Sequence, residues 1–139
     1  MVKAIKSCKQ KDDDDCGIAC LTMLTMGKST YKQTMRAVGK TEYDDCLLTN
    51  NKVIKSGLDA LGIKRATRFT SVKSKSWKTL LQKDELMLVG CGKRKDGDWH
   101  WVVFDGKAGR IYDPNPKKPK SFIPDGRYKK PFQTLKIYP

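Results

Sequence analysis

The chain has 139 residues, 38% of them hydrophobic, and carries a net charge of +14 at pH 7. This length suits a single domain over 1–139 that buries roughly two-thirds of its unfolded surface, and the apolar content excludes a disordered chain. No run approaches the ~20 apolar residues of a membrane span, and "MVKAIKSCKQKDDDD" has no signal-peptide core, so the expected location is the cytoplasm.

Residues 1–15 are polar and charged and read as a lead-in. From Cys16 to Met26 the chain is apolar almost all round, the pattern of a buried helix, and Gly27 ends it. "STYKQTMRAVGK" predicts a second helix with Ser29 or Thr30 as cap and Gly39 as stop. "TEYDDCLLT" reads as a connector, and "NNKVIKSGLDALGI" as a third helix with Val53, Ile54, Leu58 and Leu61 on one face. "IKRATRFTSV" alternates as a strand does, and "SKSWKTLLQK" is a short helix.

"ELMLVGC" is apolar without alternation, which predicts a strand buried on both faces. "WHWVVFD" and "GRIYD" form a hairpin about "GKAG", the proline-rich "PNPKKPK" stays out of the sheet, and "FQTLKIYP" reads as a final edge strand. Helices first and an antiparallel sheet after them make the fold class α+β.

The basic charge is uneven. Residues 51–139 hold 21 Lys and Arg against 8 Asp and Glu, a balance of +13, whereas residues 1–50 come to +1. Such a surface attracts nucleic acid or an acidic protein partner, or simply keeps a small protein soluble. Five cysteines, Cys8, Cys16, Cys20, Cys46 and Cys91, are an odd number at irregular spacing. A complete disulfide framework is therefore impossible. No CxxC pair exists, so no zinc site is expected, and the aspartates at 12 to 15 lack the alternation and glycine of a calcium loop.

One cysteine and the only histidine carry the chemistry. Cys16 opens the buried helix, where the N-terminal field favours thiolate over thiol. Asp15 just before it is expected to cap that helix. Gly17 leaves room for a substrate backbone, and the backbone N–H at this turn can point at an oxyanion. Gln10, six positions before Cys16, has a side-chain amide fit to be the second oxyanion donor.

His100 lies on the first hairpin strand, sharing a face with Val102 and Phe104. The hairpin register puts Asp113 diagonal to it on that face, able to orient the imidazole. Asp105 falls on the opposite face. Trp99 and Trp101 flank the histidine, either walling the cleft or packing in the core.

The run "QKDDDDCGIACLTM", followed by "HWVVFD" and "IYDP", resembles the bacteriocin-processing peptidases, papain-like cysteine peptidases that cut leader peptides after a double glycine. The resemblance implies a stand-alone papain-like domain, its helices packed on the sheet, with the nucleophile at the start of the first buried helix. It implies Cys16 as nucleophile, His100 as general base and acid, Asp113 as orienter and Gln10 in the oxyanion hole. It also implies a protein or peptide substrate with small residues beside the cut, and no metal or organic cofactor. The lysine-rich 51–139 region is not part of that pattern. A small stand-alone enzyme of this kind suits a bacterium or a bacteriophage. A deamidase or acyl transferase would use the same thioester, and a binding protein on the same scaffold would use the basic surface, so both readings stand beside the peptidase.

Overall fold

A computed structural model describes residues 5–11, 14–41 and 49–139. Most of the expected connector, Cys46, and Asp12 and Asp13 of the acidic run lie outside the described residues. The rest forms an α+β structure with, among the described residues, four helices and a six-stranded antiparallel sheet. None of those helices is long and apolar enough to cross a membrane.

Helix α1, Cys16–Leu24, is buried at every position except Thr22. Its apolar surface wraps the whole circumference because it lies inside the molecule, between the sheet and two other helices. Met26 and Gly27 then take positive φ, 53° and 90°, and turn the chain out of the helix. Helix α2, Tyr31–Ala37, starts at a full capping box in which Thr30 and Gln33 satisfy each other's backbone N–H. Helix α3, Asn51–Ala60, is capped by the Asn50 side chain and buries Ile54, Gly57 and Leu58. At Gly57 a Cβ would stand 2.6 Å from Val38 and 3.0 Å from Leu21, so glycine is what lets α3 lie so close to its neighbours.

The strands are β1 (Lys64–Arg65), β2 (Thr70–Ser71), β3 (Leu86–Cys91), β4 (His100–Asp105), β5 (Arg110–Tyr112) and β6 (Pro131–Tyr138), with helix α4, Trp77–Leu81, between β2 and β3. The sheet order is β1-β6-β3-β4-β5, and β2 also pairs with β6. Leu88, Trp101, Val103, Leu135 and Ile137 face α1 and α3. Met87, Val89, Cys91, Val102, Phe104 and Ile111 face Trp77, Leu80 and Val72. Burial on both faces is why β3 lacks the alternation of a half-exposed strand.

Two expectations need correction. The final strand is not at an edge, since β6 pairs with β3 on one side and with β1 and β2 on the other. Its proline stands first in the strand, where a missing N–H is tolerated, and Leu135 and Ile137 fill the core on α1's side. The strand expected over 63–72 is two two-residue pieces instead. Between them Ala66 and Phe69 pack against the core, and the Ala66 N–H still bonds the Lys136 oxygen of β6 at 2.9 Å.

Candidate active site

Cys16 is the first residue of α1 and is 5% exposed. The helix start is held in an unexpected way. Asp15 makes no side-chain cap bond to α1. Its ψ of 22° is not the extended cap conformation. The buried carboxylate instead accepts the Lys11 N–H at 2.8 Å and the Tyr31 hydroxyl. Asp15 therefore ties the preceding loop and the first residue of α2 to the turn that presents Cys16.

Strand β4 begins at His100 and β5 ends at Tyr112, one residue before Asp113. With Val103 opposite Tyr112 and Asp105 opposite Arg110, Asp113 falls diagonal to His100. The two side chains meet, with His100 Nε2 2.6 Å from Asp113 Oδ1. That leaves the other ring nitrogen clear of Asp113, and Cys16 lies near enough to the imidazole to help raise its pKa. The first residue of α1 and the first residue of β4 thus come near each other where α1 packs on the sheet. Asp105, at the far end of β4, pairs with Arg110 and takes no part.

Burial by itself would push His100 toward the neutral form. The hydrogen bond to Asp113, the nearby Cys16 and the Asp113 charge outweigh it and raise the imidazole to about 9. Burial likewise opposes a charged Asp113, but the bond and charge of His100, the Tyr128 hydroxyl and the Asn115 N–H hold its carboxyl below the ordinary range. The site therefore favours an imidazolium held against the Asp113 carboxylate.

Two further groups hold the Asp113 carboxylate. Tyr128 donates its hydroxyl to Oδ2, and the Asn115 N–H donates to Oδ1 at 2.9 Å. The Asn115 bond is an Asx turn, legible in "DPN". The Tyr128 bond crosses a proline-rich loop, and no local pattern points to it. Lys9 was also missed. Its ammonium donates to the backbone oxygens of Asp113, Lys118 and Pro119, each at 2.9 Å, and so ties the lead-in to the loop after β5. Burial pushes this lysine below its ordinary range.

Gln10 follows Lys9 and is fixed by its own backbone, N–H to Pro114 oxygen at 2.8 Å. It lines a cleft of about 420 Å³ together with His100, Asn115 and three lysines, Lys11, Lys117 and Lys129. Gln10 and His100 thus share the cleft, and Cys16, buried at the start of α1, is not among its lining residues.

The weaker cleft candidates lie elsewhere. Gly17 is buried, and a Cβ there would sit 1.8 Å from Thr49 Oγ1 and 3.1 Å from Trp101, so the glycine makes room for protein and not for substrate. Trp101 is in the core, with its indole N–H on the Thr49 oxygen at 2.9 Å. Trp99 packs edge-on against Trp101 and Phe132. Neither tryptophan lines the cleft, and both pack in the cluster between the sheet and α1, on the sheet face opposite His100, Val102 and Phe104.

Cys8, Cys16, Cys20 and Cys91 are free thiols. Burial drives Cys20 and Cys91 upward, so both stay protonated. Among the described residues no three His, Cys, Asp or Glu side chains converge to hold a metal ion. Compared with protein families and with curated proteins, the chain matches no family model and no curated sequence.

Proposed function

We propose that the protein is a papain-like thiol peptidase, related in type to the bacteriocin-processing peptidases, with Cys16 as nucleophile. One chain of contacts supports this reading: Cys16 to His100, and His100 Nε2 to Asp113 at 2.6 Å. A nucleophile, a base and an orienter in hydrogen-bond sequence are what covalent acyl chemistry requires.

The Cys16 thiolate attacks the peptide carbonyl carbon and forms a C–S bond, while the carbonyl electron pair moves to oxygen. That oxyanion takes hydrogen bonds from the Cys16 N–H and the Gln10 side-chain amide. The imidazolium of His100 gives its proton to the leaving amine as the C–N bond breaks. Water, losing a proton to His100, then cleaves the thioester and returns the thiolate. Asp113 holds the ring through both steps, and Tyr128 and Asn115 hold Asp113.

The test combines reactivity with product analysis. Cys16 is expected to alkylate with iodoacetamide at pH 6–7 faster than the other thiols, and Cys16→Ala and His100→Ala to abolish cleavage of a Gly-Gly-containing peptide. Cys16 alkylating no faster than Cys8 would overturn the reading. A product heavier by about one mass unit, instead of two fragments, would assign the same thioester chemistry to a deamidase.

A further inference from the structure

The cleft beside His100 has a charge pattern that bond cleavage itself does not need. Lys11, Lys117 and Lys129 line it, all three exposed, and among the described residues no carboxylate does. The two carboxylates built into the site are turned inward. Asp113 is 2% exposed and engaged by His100 and Tyr128, and Asp15 is fully buried against Lys11 N–H and Tyr31. Nor do the three ammonium groups pair with an acid among the described residues, unlike Arg94, Arg127 and Lys136 elsewhere on the surface.

The lysines are also positioned. Lys11 holds its ammonium 4.6 Å above the Tyr31 ring. The stem of Lys129 lies against Gly92, where a Cβ would come within 3.0 Å of it, and its backbone oxygen accepts the Trp77 indole N–H at 2.7 Å. Lys117 sits in a turn closed by its own N–H on the Asn115 side chain at 3.0 Å. A cleft lined by cations from three separate segments concentrates positive potential next to the reacting groups.

The chemistry gives the cleft a direction. His100 protonates the leaving amine, so the part of the substrate that departs lies on the side of His100, and His100 is the catalytic side chain that lines the cleft along with Gln10. We propose that this cleft receives the leaving side of a peptide whose first residues after the cut are acidic, with Lys11, Lys117 and Lys129 meeting their carboxylates. The inference rests on the peptidase reading and supplies its substrate class. It also gives a local use to the basic surface, for which a nucleic acid is the rival occupant.

The experiment separates recognition from chemistry. Fluorescent peptides of one length, with Glu, Gln or Lys in the three positions after a Gly-Gly, are titrated into Cys16→Ala protein and followed by anisotropy. The Glu peptide is expected to bind about tenfold more tightly than the Gln peptide at low salt, and the gap to narrow as salt shortens the screening length. In Lys117→Glu/Lys129→Glu protein the order is expected to reverse in favour of the Lys peptide. Equal binding of Glu and Gln peptides, or an order unchanged by charge reversal, overturns the proposal. So does a single-stranded oligonucleotide of equal charge that binds tighter than the Glu peptide and displaces it.

A second arm uses small probes on wild-type protein. The rate of Cys16 alkylation by anionic iodoacetate, relative to neutral iodoacetamide, is expected to fall several-fold on charge reversal, and an unchanged ratio counts against the lysines. Cys16 failing to react with either probe defeats the peptidase reading itself, a result distinct from any peptide preference.

Discussion

At the residue scale the site turns on how His100 holds its proton. Burial works against the imidazolium, and Asp113 and Cys16 overcome it, giving a value of about 9 against an ordinary 6.5. Because the folded value lies above the unfolded one, this pair stabilises the fold fully below pH 6.5, and that contribution is lost as pH rises toward 9. Activity is expected to follow, with kcat/KM falling on the alkaline side at an apparent pKa near 9. Asp113→Asn removes a charge and a bond that raise His100, so its alkaline limb is expected to move toward neutrality, with kcat lower by about 10- to 100-fold. A limb that stays in place in a pH–rate profile would show that Asp113 does not set the imidazole.

Tyr128 acts one step further out, as a positioning residue. Its hydroxyl is one of the groups that hold the Asp113 carboxyl low. In Tyr128→Phe that carboxyl is expected to rise. A lowered carboxylate stabilises the fold above its ordinary value and loses that stability as pH falls through the folded one, so acid unfolding of the variant should begin at higher pH. Its kcat is expected to drop about tenfold with KM unchanged, the size of one lost bond to a charged group. At this scale the pairing of His100 with Asp113 was legible, because a short hairpin fixes its own register. Tyr128 and Lys9 were not, because Tyr128 returns to Asp113 across an irregular proline-rich loop that fixes no register, and Lys9 reaches it from the far end of the chain.

At the scale of elements, α1 carries Cys16, the proposed nucleophile, and its start is set by packing more than by capping. Gly17 touches Thr49 and Trp101 so closely that any side chain must push one of them away. Gly17→Ala is expected to cost about 1–3 kcal/mol in urea unfolding, as overpacking does, and to slow Cys16 alkylation by shifting the helix start. The all-round apolar pattern of residues 16–26 announced a buried helix. It did not say that the small residue after Cys16 serves the core instead of a substrate, since only the neighbours brought in by folding decide that. Asp15 teaches the same lesson. A capping residue before a helix was the local reading, but its backbone angles turn the carboxylate toward Lys11 and Tyr31.

At the scale of the whole molecule, the strand order brings the last strand inside. β6 joins β1 and β2 to β3, so the C-terminal residues hold the sheet together. Leu135, fully buried beside Leu88 and the face of α1, is expected to cost about 2–5 kcal/mol when changed to Ala, measured by urea unfolding. An edge strand would tolerate that change far better, so a small loss would count against the central position.

Local pattern alone determined the helices of the first half, the doubly buried β3, the hairpin of β4 and β5, and the charge imbalance between the two halves. Each depends on periodicity, on turn residues or on counting, which operate over a few residues. Only the tertiary structure decided that Cys16 comes near His100, that β6 is internal, and that three lysines from separate segments line the cleft beside His100. Those outcomes follow from strand order and helix docking, which are chosen by the burial of many side chains together.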